Sequence, residues 1–305
     1  MEFLKMHGLG NDFIVLDRRR DPWTPSSQEV RRLCDRHRGV GADGVILLLP
    51  PTESDSAAVM RIFNRDGSDG EVCGNGLRCV GDLLLRNDGV AQTSVQIDDG
   101  RARITRIAAR SGTPSMVEVL LPSPGRRLSD LPATIPGISP DGDLVDRSPT
   151  DLRFPGVPLP DDVRMTLVSV GCPHAVLMTE AADDASLETV GPLVGEHAWF
   201  PMGINVHLVR RLAPGHLRMR TWERGAGPTL ACGTGACAAA VADQWAGGMP
   251  GEDGLIRISM PGGDLWIGLD GSAEGRIRMR GPAVEVARGV LAPHWNTGFE
   301  SETPS

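Results

Sequence analysis

The 305 residues carry 39 acidic against 31 basic side chains, a formal net charge of −8, with 40% hydrophobic and only 4% aromatic residues. An acidic chain whose longest basic run, Arg18-Arg19-Arg20, is followed at once by Asp21 offers no basic face for nucleic acid. No apolar run approaches the roughly 20 residues of a membrane span, and the opening MEFLKMHGLGNDF lacks the apolar stretch and cleavage site of a signal peptide, so a cytoplasmic protein with no membrane partner is expected.

The length leaves room for two domains of ordinary size. Cys34, Cys73, Cys79, Cys172, Cys232 and Cys237 are scattered without a Cys-x-x-Cys pair, which argues against both a disulfide framework and a structural metal. Lys5 is the only lysine. It lies in an alternating opening strand, and a pyridoxal-phosphate enzyme needs a lysine for its Schiff base. No metal or cofactor is expected.

In chain order, Phe3 to Met6 and Phe13 to Leu16 read as two strands around the turn His7-Gly8-Leu9-Gly10-Asn11. Ser26 or Ser27 caps a helix through Cys34, with Leu33 and Cys34 turned inward. Val45 to Leu49 and Val59 to Phe63 read as strands, the second delivering Asn64 beside a run of turn formers, Asp66-Gly67-Ser68-Asp69-Gly70. Cys73-Gly74-Asn75-Gly76 then leads into Leu77, Val80, Leu83 and Leu84, apolar at helical spacing, which places Cys73 at a helix N-terminus. Short antiparallel strands follow at Val95 to Ile97, Ala102 to Ile104 and Met116 to Val119; wrapped around that helix, they explain its apolar character. Residues 122–160 hold nine of the 24 prolines and little periodicity, and read as a linker or insertion.

From Met165 the plan repeats: strand, Gly171 turn, strand, a loop with Asp183 and Asp184, strands at Ile204 to Val209 and Leu217 to Trp222, then a helix headed by Cys232. Strands at Ile256 to Ile258, Leu265 to Ile267 and Ile277 to Met279 precede a polar tail over the last dozen residues. Trp222 lines up with Phe63, Arg224 with Arg65, and Cys232-Gly233-Thr234-Gly235 with Cys73-Gly74-Asn75-Gly76. The spacings agree as well, with 62 positions from Asn11 to Cys73 and 60 from Cys172 to Cys232. Such a repeat implies two related halves.

A lone cysteine at a Gly-rich helix start is more often an inert small hydrophobe than a reactive group. Two of them on related halves face each other across a cleft, where small molecules bind. The free N–H groups of each helix head can cradle a carboxylate, and the helix dipole lowers a thiol from about 8.5 toward neutrality. One thiolate then removes the α-proton while the opposite thiol delivers another, which is racemisation or epimerisation by two bases.

The segments HGLGNDF (His7 to Phe13), GVGADG (Gly39 to Gly44), FNRDGS (Phe63 to Ser68), CGNGLRC (Cys73 to Cys79), GCPH (Gly171 to His174), ERGAG (Glu223 to Gly227) and ACGTGA (Ala231 to Ala236) resemble the diaminopimelate epimerase family, in family order and over most of the chain. The resemblance implies an α+β fold of two pseudo-symmetric domains, each a rolled, mostly antiparallel sheet around a central helix. The N-terminal domain would be residues 1–121, with the segment 280–305 returning to it, and the C-terminal domain residues 122–279. It implies a cofactor-independent epimerase that interconverts LL- and meso-2,6-diaminopimelate in lysine and peptidoglycan synthesis, and a homodimer. Cys73 and Cys232 would be the acid–base pair, with Cys73 the donor and Cys232 the acceptor for the LL substrate. His174 and Glu223 would tune the thiols. Asn64, Asn205, Glu223 and Arg224 would hold the distal amino-acid group, and Asn11, Gly74, Asn75, Gly233 and Thr234 the reacting end. Cys34, Cys79 and Cys237 read as core.

One departure bears on the substrate: Cys172 stands where the family's GNPH motif has an asparagine that resembles a ligand of the distal end, and a thiol is the poorer hydrogen-bonding group. Two other readings compete. One is a racemase of another amino acid on the same fold, although the first motif of proline racemases resembles Cys-Gly-His rather than Cys73-Gly74-Asn75. The other is a thiol redox or metal-binding protein.

Overall fold

The computed structural model describes residues 1–296 apart from 71–72, 98–99, 108–114, 153, 155 and 252; residues 297–305, most of the expected polar tail, lie outside the described residues. The first half comprises β1 (Glu2–Gly8), β2 (Asn11–Asp17), α1 (Ser27–Cys34), β3 (Gly44–Leu49), β4 (Ala58–Asn64), α2 (Gly74–Asn87), β5 (Gln92–Ile97), β6 (Gly100–Ile107) and β7 (Ser115–Leu121). The second comprises β8 (Arg164–Ser169), β9 (Pro173–Met178), α3 (Asp184–Gly195), β10 (Asn205–Ala213), β11 (His216–Glu223), β12 (Gly227–Thr229), α4 (Gly233–Trp245), β13 (Ile256–Met260), β14 (Gly263–Leu269) and β15 (Ile277–Val290).

From β1 to β7 successive pairings run antiparallel, parallel, antiparallel, parallel, antiparallel, antiparallel. The path β8-β9-β10-β11-β13-β14-β15 repeats that order. The sequence repeat is therefore a repeat of topology. β15 belongs to both halves: its first part pairs with β14 and β7, and Val284 to Val290 pair with β1, closing the first half into a barrel.

Side-chain parity sets what lies on each face. Phe13, Val15, Ile46 and Leu48 point inward to the central helices, while Ile14, Leu16, Val45 and Leu47 point outward to α1. Strands apolar on both parities must be covered on both faces. α2 is buried without interruption from Gly74 to Leu85, its polar Asn75, Arg78 and Asp82 included, and the alanine-rich α4 from Gly235 to Asp243, as central helices enclosed on all sides must be. α1 carries the capping box expected of Ser26, with Glu29 returning the bond.

Two expectations change. Where a loop was expected around Asp183 and Asp184, α3 forms, capped by Asp183 and burying Leu187, Val190 and Val194 against the outer face of the second half. Gly191, Pro192 and Gly195 obscure its period, but Gly191 is needed because an added Cβ would meet the Trp222 ring at 2.7 Å. The Pro-rich stretch 122–160 does not hang free. Leu128, Leu131, Ile135 and Leu144 are buried in the same outer cluster, which β-bridges at Gly125–Ser169 and Arg147–Met165 pin to β8. Among the described residues no helix is long and apolar enough to cross a membrane.

Candidate active site

The helices α2 and α4 meet head to head. A Cβ placed on Gly233 would lie 3.6 Å from Gly74 Cα and 3.3 Å from Asn75 Oδ1, and one on Gly74 would lie 2.5 Å from Met279 Cε. Glycine at 233 thus eases the approach of the two heads, and glycine at 74 leaves room for the Met279 side chain of β15 beside them. Cys73 and Cys232 are the N-cap residues, with nearly the same backbone (φ −114°, ψ 113° and φ −121°, ψ 113°). All six cysteines are thiols rather than disulfides.

Around Cys73 the turn between β1 and β2 supplies Asn11. Cys73 Sγ donates to Asn11 Oδ1 at 3.6 Å, and Asn75 Nδ2 donates to the same oxygen at 3.2 Å. Asn11 Nδ2 donates to Asp43 Oδ2 at 3.3 Å, which fixes the amide with its carbonyl toward the thiol. Asp43 is held in turn by the Asp12 N–H at 3.2 Å and by Arg36, and Lys5 ion-pairs with Asp12 at 2.6 Å. The sole lysine is thereby part of the scaffold behind Asn11.

Cys232 sits in a different environment. Its Sγ accepts from the Gly235 N–H at 3.4 Å and lies 3.6 Å from Thr234 Oγ1, which is 3.8 Å from Cys172 Sγ. His174 Nε2 is 3.2 Å from Cys172 Sγ, His174 Nδ1 is 2.9 Å from His207 Nε2, and His207 Nδ1 is 2.7 Å from Thr221 Oγ1. His174, His207 and Thr221 share the inward parity of β9, β10 and β11, so all three lie beneath α4 and are buried. Burial holds both imidazoles neutral, His207 down to about 3 and His174 well below 6.5, His207 adding to the latter effect.

Both catalytic candidates are pushed up by burial, not lowered as their helix positions alone suggest. For Cys73 the N–H groups of Gly76 and Asn75 act against that rise, Glu223 adds to it and Arg78 opposes it. Cys232 stands well above its ordinary value through burial and Glu223, opposed by Thr234 and the Gly235 N–H. In the resting site desolvation outweighs the dipole. Cys34 rises to about 11, and Cys79 and Cys237 each to about 12, again by burial, as suits core thiols.

The remaining candidates lie at strand ends around these heads. Asn205 Oδ1 accepts from the Arg224 N–H at 2.9 Å, and its Nδ2 donates to Pro173 O at 3.2 Å and toward Cys172 Sγ at 3.7 Å. Glu223 accepts from Thr229, and Arg224 Nη1 donates to Met202 O at 3.1 Å. Asn64, at the end of β4, turns its amide nitrogen back to Ser68 and Asp69, and among the described residues no hydrogen bond joins it to the others. Sequence reasoning passed over Asp43, Arg78, His207 and Thr221. Alternation in β10 carries the one signal for His207, which shares parity with Asn205. Two thiols on opposed helix heads, each with free N–H groups, can exchange a proton with either face of a carbon acid held between them.

Known proteins share both sequence and fold with this chain. A sequence model described as diaminopimelate epimerase matches residues 3–113 and 166–286. Diaminopimelate epimerase of Magnetococcus marinus is 42% identical over 292 residues, covering 95% of this chain and 96% of that protein. That of Synechococcus elongatus is 41% identical over 293 residues, covering 95% and 98%. Among solved structures, a probable proline racemase from Agrobacterium radiobacter superposes with a TM-score of 0.64 at 18% identity, covering 98% of this chain and 96% of that one. A hydroxyproline epimerase from Agrobacterium vitis does so with a TM-score of 0.62 at 19% identity, covering 95% and 91%. At such identities the superpositions speak for the fold.

Proposed function

We propose, from the premise that this chain belongs to the diaminopimelate epimerase family and is an isomerase, that it interconverts LL- and meso-2,6-diaminopimelate by proton transfer between Cys73 and Cys232. The observation that carries this reading is the contact of two cysteine-capped helix heads. The substrate's α-carboxylate would sit at the free N–H groups of both heads, with one sulfur on each face of the α-carbon. Charge that develops on the carboxylate as the proton leaves falls where those N–H groups point, so the protein's own dipoles supply the stabilisation.

The resting hydrogen bonds also support an order for the pair. Cys73 donates to Asn11 Oδ1, whose orientation Asp43 sets, which suits the acid; Cys232, a thiol at rest because burial holds it well above its ordinary value, accepts from Gly235, a bond that would stabilise the thiolate it must become to act as the base for the LL isomer. Glu223 and Arg224 would pair with the distal ammonium and carboxylate, and Asn205 would hold the Arg224 backbone in place. The reaction would serve lysine and peptidoglycan synthesis in the cytoplasm, in a homodimer. A second reading, racemisation of a different amino acid, draws on Cys172, whose thiol lies among His174, Asn205 and Thr234 where an amide would offer stronger bonds.

The test is turnover of LL-diaminopimelate against lysine, histidine, glutamate and proline, with wild type, Cys73→Ala and Cys232→Ala. Each variant should keep its fold and lose more than about a hundredfold in turnover, since a positioned acid or base is worth roughly 10²–10⁴. Preference for another amino acid would replace the substrate, and a single-cysteine variant near wild-type turnover would end the two-thiol scheme.

A further inference from the structure

Arg78, five positions after Cys73, heads the largest fully buried side chains in the described structure. Its guanidinium is held at four points. Nε donates to Pro282 O at 3.2 Å, Nη1 to Gly74 O at 3.3 Å and toward Met279 Sδ at 3.4 Å, and Nη2 to Asn75 Oδ1 at 2.8 Å. Every one of these partners is neutral. Among the described residues no carboxylate forms an ion pair with it; Asp82, one helical turn on, pairs with Arg86 at 2.9 Å. Two strands leave room for it, since a Cβ on Gly8 would lie 2.9 Å from Nη2 and one on Gly281 3.0 Å from Nε.

A guanidinium does not shed its proton, and a buried charge without a counter-charge is among the most costly things a core can hold. The titratable groups that act on it are the thiols of Cys73 and Cys79 on α2 and Cys237 on α4. Cys79 and Cys237 are interior residues of their helices and fully buried, so they stay protonated. Cys73, at the N-cap, is instead partly exposed. Arg78 also reaches it through a relay of amides: Nη2 occupies Asn75 Oδ1, so Asn75 Nδ2 turns to Asn11 Oδ1, the same oxygen that receives the Cys73 thiol.

We propose that Arg78 is a positioning residue whose missing counter-ion is supplied by the reaction, as the thiolate that Cys73 becomes on giving up its proton and as the substrate anion at the head of α2. The proposal rests on the two-thiol reading above. It assigns Arg78 two tasks, holding the Asn75 amide and placing a fixed positive charge behind the head of α2. Glu223 acts on Cys73 in the opposite sense, and the N–H groups of Asn75 and Gly76 act in the same sense as Arg78.

The test follows Cys73 itself rather than turnover. The rate of iodoacetamide alkylation at Cys73, resolved by peptide mass mapping, is measured against pH for wild type, Arg78→Lys and Arg78→Gln, each checked for native circular dichroism. Loss of a nearby opposite charge should raise the midpoint in R78Q by about one unit, an about tenfold slower reaction below the midpoint. R78K keeps the charge but not the fork, so its midpoint should stay near wild type while kcat falls as Asn75 is released. An unmoved midpoint in folded R78Q, or a rise of about one unit in R78K, would overturn the proposal; if R78Q does not fold, R78K against wild type decides alone. A raised midpoint in R78Q, with a wild-type protein that exchanges no α-proton of diaminopimelate, leaves the charge role of Arg78 standing and overturns the reaction instead.

Discussion

Gly235→Ala should damage both the stability and the chemistry of this protein, although it adds one methyl group. The new Cβ would lie 2.3 Å from His207 Cε1, 2.8 Å from Nε2 and 2.9 Å from Nδ1. The ring cannot swing away cheaply, because Thr221 Oγ1 at 2.7 Å and His174 Nδ1 at 2.9 Å hold its two nitrogens. Overpacking of this kind costs about 1–3 kcal/mol, and loss of one buried hydrogen bond adds about 1 kcal/mol. For a chain of this size, with an unfolding entropy of about 0.6 kcal/mol/K, a total of about 2–4 kcal/mol lowers Tm by roughly 3–6 °C. The alternative relaxation lifts the head of α4 and moves Cys232, and a misplacement of about 1 Å can cost about 10² in rate. Calorimetry and turnover of LL-diaminopimelate measure the two effects. His207→Ala in the same chain removes the obstacle, so the double variant should lose at least about 1 kcal/mol less than the two single losses combined. A Gly235→Ala protein that melts and turns over like wild type, or strictly additive losses, would refute the packing under α4 and with it the His207 contact.

Two further outcomes follow from the same region. Cys172→Asn should raise kcat/KM for LL-diaminopimelate by about tenfold, since an amide among His174, Asn205 and Thr234 can both donate and accept where the thiol does so weakly; unchanged ratios across lysine, histidine and glutamate would remove Cys172 from substrate contact. Stability should fall with acid through the imidazole pair: burial depresses both histidines in the fold, His207 to about 3, so below about pH 6.5 the unfolded chain binds protons that the folded chain refuses. Each imidazole then costs about 1.4 kcal/mol per pH unit, down to its folded value. Urea unfolding at a series of pH values checks this slope, which His207→Gln should roughly halve; a stability independent of pH below 6.5 would contradict the buried neutral pair.

The two cysteine-headed helices could be read from sequence because their signals are local and repeated: a cysteine, two glycines and an apolar helical period occur together within a dozen residues, twice. The inward core was legible for a similar reason, since β2 and β3 announce buried strands by continuous apolar runs. What escaped is what depends on neighbours from elsewhere in the chain. α3 was obscured by Gly191, Pro192 and Gly195, of which Gly191 exists to admit the Trp222 ring. The stretch 122–160 has no period because it lies over a sheet face, its described residues forming only the short 3-10 turn Leu128–Asp130, so Leu128, Leu131 and Leu144 looked like isolated loop residues. Arg78 stands four positions from Asp82, where an arginine is ordinarily read as half of a solvent-facing pair; only the fold shows that Asp82 pairs with Arg86 and that Arg78 points the other way. The direction in which the two thiols shift was misjudged, because the helix dipole is visible in sequence and burial is not.

The central claim is that two different thiols handle the departing and arriving protons. The most direct measurement is the isotopic content of substrate and product when LL-diaminopimelate is turned over in D2O and sampled at low conversion. Two thiols on opposite faces require that meso product carry one deuterium at the inverted carbon while recovered LL substrate remains largely protiated, because the arriving proton comes from a group the substrate never charged. Product that retains the substrate's own hydrogen would mean that one group serves both faces, and would contradict the assignment of Cys73 and Cys232 as an acid–base pair.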